Sequence, residues 1–241
     1  MPRKKIVFVI VEGPSDEEAI GVLLGRIYDV SSVYVHVVHG DITTELDAVP
    51  DNIVKKISDI VRRYAGKTFR QRDFSRIVHI TDTDGVFIPD EMVISDQTKH
   101  RPFYLTTEIR TRNKPGIEER NRRKRANLDR LSETQSVWGI PYRIYYMSCN
   151  LDHALYGKLN STDDDKENDS FDFAERYKDD IPSFMEFISK SDFSVMNGYA
   201  QSWEYIREEL HSLERHTNFG LCFGESAAES ASSDLSTGDN P

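Results

Sequence analysis

Only two cysteines, Cys149 and Cys222, occur in the 241 residues. So few exclude a disulfide framework and a thiolate zinc centre, and a reducing, cytoplasmic setting is the expectation. No apolar run approaches the roughly 20 residues that cross a bilayer as a helix, so no membrane association is expected. The start, Met1-Pro2-Arg3-Lys4-Lys5, is basic, but the apolar run behind it is short and closes on Glu12. It reads as a strand rather than a secretory leader. Bulk positive charge is missing too. The formal net charge is -10, so a grip on nucleic acid has to come from a local basic patch or through bound cations. The chain has no Walker A loop, no other nucleotide-specific loop and no internal repeat.

What is present is an alternation of buried-looking strands and amphipathic helices. Ile6 to Val11 is apolar and mostly β-branched without alternation, the pattern of a strand covered on both faces. Gly13 permits a sharp corner, and Pro14-Ser15-Asp16-Glu17-Glu18 reads as a helix start with acids in its first turn. Residues 17–26 carry Ala19, Ile20, Leu23 and Leu24 at helical spacing. A second strand over 32–40, a helix over 52–65 ended by Gly66, and a third strand over 76–81 complete a β-α-β-α-β series. That series predicts a mostly parallel sheet flanked by helices. A fourth strand is expected at Pro141 to Ser148, leading into a helix or turn at Asn150 to Leu155.

Residues 86–136 break this rhythm and read as a polar insertion with a helix over 116–131. Arg110, Arg112, Lys114, Arg120, Arg122, Arg123, Lys124 and Arg125 crowd into it. In an acidic protein such clustering points to phosphate contact, with an acidic partner or a merely solvated helix as the alternatives. The stretch itself has few aromatics, so base stacking on it is not expected; Phe103, Tyr104 and Trp138 flank it and read as core. Residues 163–169 are expected to be an acidic loop. Helices are expected over 171–190, with Pro182 opening a second one, and over 203–216. The organisation is then a core over 1–160, a helical region over 161–224 packed on it, and a disordered tail over 225–241.

Carboxylates stand at the exits of these strands. Glu12 closes the first, with Asp16 one turn later; Asp82-Thr83-Asp84-Gly85 closes the third; Asp152 follows the fourth. In open α/β sheets ligands bind at the carboxyl ends of the strands. Converging carboxylates repel unless a proton or cation intervenes, and hard oxygen donors suit Mg²⁺ or Mn²⁺. Glu12, Asp16, Asp82, Asp84 and Asp152 are therefore the candidate metal ligands, and metal-assisted attack on a phosphodiester is the chemistry they suit, with Glu12 placed for proton transfer. Asp152 and His153 also suit a proton shuttle; the plainer readings are a helix N-terminus at Glu12 and Asp16, a turn at Asp82 to Gly85, and a helix cap at Asp152 and His153. Asp41 and His39 read as a surface loop, and His79 as a packed histidine.

Val11-Glu12-Gly13 ending one hydrophobic strand, and Asp82-Thr83-Asp84 ending another after a β-α-β-α interval, resemble the Toprim domain of topoisomerases, bacterial primases and OLD (overcoming lysogenization defect) nucleases. The extended form Glu12 to Glu17 looks closest to the stand-alone, defence-associated members. The likeness covers residues 4–85 and the strand at 142–148. It implies a glutamate general acid or base (Glu12), an aspartate pair holding Mg²⁺ (Asp82 and Asp84), and a second ion supported by Asp16. The expectation is a metal-dependent nuclease acting on DNA or RNA, the effector of a bacterial or phage-defence system, with any ATPase a separate partner and a homo-oligomer open. The alternative is a catalytically silent regulatory subunit of an ATPase complex.

Overall fold

The computed structural model describes residues 4–28 and 33–224. Strand β1 (Lys5–Val11) leads through a Gly13 corner into helix α1 (Pro14–Ile27), and β2 (Val33–His39) is followed by α2 (Ile53–Ala65) and β3 (Phe74–Asp82). Then come three short strands, β4 (Val93–Ser95), β5 (Phe103–Tyr104) and β6 (Ile109–Thr111), and the long helix α3 (Lys114–Ser132). The core resumes with β7 (Ser136–Val137) and β8 (Ile140–Met147), and closes with α4 (Leu151–Tyr156), α5 (Asp163–Tyr177), α6 (Ile181–Lys190) and α7 (Tyr199–Arg207).

The main sheet runs β2-β1-β3-β8-β7, with the first four strands parallel and β7 antiparallel at one edge. Every residue of β1 from Ile6 to Val11 is buried because both faces are covered. Ile6, Phe8 and Ile10 pack toward Ile53, Ile57 and Val61 of α2 and Leu128 and Leu131 of α3. Val7, Val9 and Val11 pack with Leu23 and Leu24 of α1 and Phe173, Phe184 and Ile188 of α5 and α6. The period of two along the strand thus separates two cores. The parallel register pairs Val11 with His39 and Asp82 with Met147, so the carboxyl ends of four strands share one rim.

Three sequence expectations are corrected. Residues 163–169 are helical, not a loop: Thr162 caps α5 by accepting from the Asp165 N–H at 3.1 Å, and Asp163 to Asp165 occupy a first turn that favours negative charge. The last helix ends at Arg207 instead of His216; the turns beyond it bring Leu213 into a small core with Ile88, Val93, Ile109, Ile117 and Cys149. The insertion is more than a loop and a helix, because β4-β6-β5 form a second three-stranded sheet over that core. The tail over 225–241 lies outside the described residues.

The corner after β3 is fixed from several sides. Thr83 N–H donates to Met147 O at 2.9 Å, Asp84 N–H to Cys149 O at 2.7 Å, and the Thr83 hydroxyl to Ser212 O at 3.0 Å. Asp84 takes a left-handed backbone conformation (φ 51°), uncommon for a residue with a side chain and tolerated by aspartate. Gly85 follows at φ 65°, where a Cβ would fall 2.4 Å from Leu213 Cδ2, so neither the angle nor the space admits another residue.

Candidate active site

β3 delivers Asp82 and Asp84 beside Glu12 at the end of β1. Glu12 Oε1 accepts from the Thr81 hydroxyl at 2.6 Å and from the Asp82 N–H at 3.0 Å, so side chains some seventy positions apart are joined directly. Among the described residues one group of three acids can share a single cation. Ligand atoms of Glu12, Asp41 and Asp84 all lie within 4.8 Å of one another, each half-buried. Asp41 was read as surface; its carboxylate is held inward by the Thr43 hydroxyl at 2.8 Å and by Thr44.

The remaining acids named from the sequence sit beside this triad rather than in it. Asp82 Oδ1 accepts the Leu151 N–H at 2.9 Å, at the start of α4. Asp16 accepts the Gly13 N–H at 2.9 Å, closing the corner that begins α1. Asp152 is buried and pairs with Lys166 of α5 at 3.5 Å. His153 is buried as well; burial pushes its imidazole down to about 4, so it is neutral at physiological pH.

The feature that the basic stretch concealed is Lys124. The reading of this residue as a surface phosphate contact is overturned, because its side chain is fully buried. Its ammonium donates to Asp84 Oδ2 at 2.6 Å and to Glu12 Oε1 at 3.0 Å, and lies 3.9 Å from Asp41. It occupies the middle of the acidic triad. Three neighbours also turn inward. Arg120 donates to Asp84 O at 2.9 Å and to the Tyr104 hydroxyl at 2.6 Å. Arg125 holds the carbonyls of Val86 and Ile88, and Arg123 that of Thr44. These side chains fasten the insertion to the rim through orphan carbonyls. Arg110, Arg112 and Arg122 stay exposed and Lys114 partly so; Arg110 pairs with Glu108, Arg122 with Glu119 and Lys114 with Glu118 at 3.5 Å. The sequence did carry a signal: Lys124 falls on the same helical stripe as Ile117, Asn121, Leu128 and Leu131, all of them buried.

The electrostatics follow from crowding acids in a buried corner. Burial pushes Glu12 up to about 8, with Lys124 pulling down and the charges of Asp41 and Asp84 adding to the rise. Burial likewise drives Asp82 well above its ordinary value, helped by the charges of Glu12, Asp16 and Asp84, and raises Asp16 to about 6. Burial works upward on Asp84 too, but Lys124 and Arg120 outweigh it and hold the carboxyl below its usual range. Lys124 is held well above its ordinary value, since the surrounding carboxylates outweigh its desolvation.

These directions set a pH dependence. Glu12 and Asp16 keep protons in the folded state that the unfolded chain has already released, so folding stability falls as pH rises from the ordinary carboxylate range to about 8. Asp84 works in the opposite sense, and its window lies below its ordinary value of 3.8. Without divalent ions the melting temperature is expected to fall between pH 7 and pH 8.5, a window above the range in which the buried histidines act in the opposite sense, and the rise produced by millimolar Mg²⁺ to be larger at pH 8.5, because binding displaces protons. Thermal melts at the two pH values, with and without Mg²⁺, measure it; an Mg²⁺ shift that is absent at both counts against a metal centre.

Carboxylate oxygens alone form the triad, the donor set that Mg²⁺ or Mn²⁺ takes. Comparison of the chain with protein-family models, with curated proteins and with solved structures finds no match. Fold and site together define an α/β protein with mixed sheets flanked by helices and an acidic centre able to bind a metal ion at its strand ends. No helix among the described residues is long and apolar enough to cross a membrane.

Proposed function

We propose that this protein is a metal-dependent nuclease of Toprim type, hydrolysing phosphodiester bonds in nucleic acid as the effector of a bacterial or phage-defence system. The observation that carries the reading is the convergence of Glu12, Asp41 and Asp84 on one point at the rim of a parallel sheet. A Mg²⁺ or Mn²⁺ ion held there would polarise a phosphoryl oxygen and orient the attacking water. The chain's own groups supply the rest. Glu12, raised to about 8, can exchange a proton near neutral pH with the attacking water or the departing oxygen. As the P–O bond to water forms and the ester P–O bond breaks, the buried Lys124 ammonium holds the Glu12 and Asp84 carboxylates in place. Arg120 and Tyr104 orient Asp84 by gripping its carbonyl and facing its carboxylate. Asp16, Asp82 and Asp152 lie beside the triad and act on one another through their charges, without gathering into a second three-ligand group among the described residues. The exposed Arg110, Arg112 and Arg122 are placed on the insertion to meet the sugar-phosphate backbone.

One observation favours the rival reading of a catalytically silent regulatory subunit. The Lys124 ammonium already neutralises the triad, so the site is electrostatically satisfied without an ion. The two readings separate in a divalent-ion titration of cleavage on labelled DNA, messenger RNA and transfer RNA. A nuclease yields cleavage that appears with Mg²⁺ or Mn²⁺ and is abolished by chelation. No cleavage of any substrate with either ion, alone or with a co-purifying ATPase, leaves the silent reading standing.

A further inference from the structure

Beside the acidic rim lies a cleft of about 240 Å³, lined from the small sheet and the start of α5. Its walls touch the acidic groups on both sides. Tyr104, on one wall, faces the Asp84 carboxylate with its hydroxyl at 3.4 Å. Lys166 and Asn150, on the other, adjoin Asp152 and the α4 turn that binds Asp82. Phe103 lines the cleft with a half-exposed ring, accompanied by the Lys99 ammonium 4.0 Å from its centroid, whereas Tyr104, next along β5, packs its ring against the small core of Ile88, Val93 and Ile109. The Ser161 hydroxyl in the wall is buried and has no protein partner.

We infer that this cleft receives one unpaired nucleobase next to the bond being cut, so that the substrate is a single-stranded or locally opened nucleic acid. The inference rests on the nuclease reading for the bond, but on the cleft alone for the base. Its volume is that of about eight water molecules, enough for a flat heterocycle and far too small for a duplex. An aromatic face with a neighbouring cation is the composition that binds single strands, by stacking the base and attracting the backbone. A base edge offers donors as well as acceptors and can meet Asp163, Ser161 and Lys166 together. The exposed Arg101 at the mouth suits the flanking phosphate. Both walls come from segments outside the Toprim resemblance, so the preference belongs to this chain's additions.

The test uses the full chain carrying Glu12→Gln and a short oligonucleotide with a single 2-aminopurine, presented as a single strand, as a duplex, and with an abasic site in place of the reporter. The expected result is that the single strand binds at least about tenfold more tightly than the duplex or abasic forms, with quenching of the reporter on stacking. Phe103→Ala should lose about tenfold in affinity and the quenching, Phe103→Tyr should retain both, and Arg101→Ala should weaken binding without removing the quenching. Duplex bound as tightly as single strand, or unchanged binding and quenching in Phe103→Ala, overturns the base site. Wild-type protein incubated with the same oligonucleotides and Mg²⁺ or Mn²⁺ reports separately on the chemistry. Quenching without cleavage refutes the nuclease reading and keeps the base site; cleavage with no Phe103 effect does the reverse.

Discussion

Glu12→Gln is expected to lower metal-dependent cleavage by roughly 100-fold or more, the usual span for removing a general acid or base, while leaving the fold intact. The substitution is isosteric, and the glutamine oxygen can still accept from the Thr81 hydroxyl and the Asp82 N–H, which hold the side chain in place. What it removes is a group able to take and return a proton near neutral pH. A melting temperature within a few degrees of the wild type is the control that separates chemistry from folding. Full activity in this variant removes Glu12 from the mechanism.

Lys124→Met is expected to have the largest effect on stability. Methionine keeps an unbranched chain of similar reach but leaves Glu12, Asp84 and Asp41 facing one another in a buried corner with no ammonium between them. Breaking a buried ion pair by removing one partner costs about 3–5 kcal/mol, which for a chain of this size is a fall of roughly 6–20 °C in melting temperature. The cost should be smaller at pH 6 than at pH 9, because Glu12 can accept a proton in place of the lost ammonium. Divalent ions should recover much of it, so the variant's melting temperature should respond to Mg²⁺ more strongly than the wild type's. A melting temperature equal to that of the wild type and indifferent to Mg²⁺ would show that the lysine does not compensate the triad. Cleavage measured in the same variant tells whether the ammonium also serves the reaction.

The sequence made some of this legible and hid the rest for physical reasons. Strands covered on both faces write themselves as unbroken apolar runs, which is why β1 and β3 and their acidic exits could be placed. Glu12 and Asp84 were found because an acid straight after a buried strand has few structural uses. Asp41 was not, because an aspartate followed two and three positions later by threonines is also the signature of an ordinary turn, and both descriptions are true of it: Thr43 and Thr44 bind the carboxylate and aim it inward. Lys124 was lost among arginines of the same sign. Only its place on the stripe with Leu128 and Leu131 sets it apart, and helical phase is hard to weigh when charge dominates the composition. The acidic start of α5 was taken for a loop because Asp163 to Asp165 have poor intrinsic helix propensity; their stabilisation by the helix dipole and the Thr162 cap is positional. The little β4-β6-β5 sheet has strands of two or three residues, too short for any periodicity to register.

The acids at the rim come from the ends of β1, β2 and β3 and from α4, and their counter-ion comes from a helix in the insertion. No two neighbouring segments can build the corner alone. While the chain collapses, the sheet can pair and the carboxylates can draw near before α3 has docked, and at that moment like charges gather without a cation. Docking of α3 costs the desolvation of Lys124, which the carboxylates outweigh, whereas sheet closure ahead of it gathers those carboxylates with no compensation. The order of assembly is biased toward the helix arriving with the strands rather than after them, and ions in the surrounding solution can stand in for Lys124 during that interval.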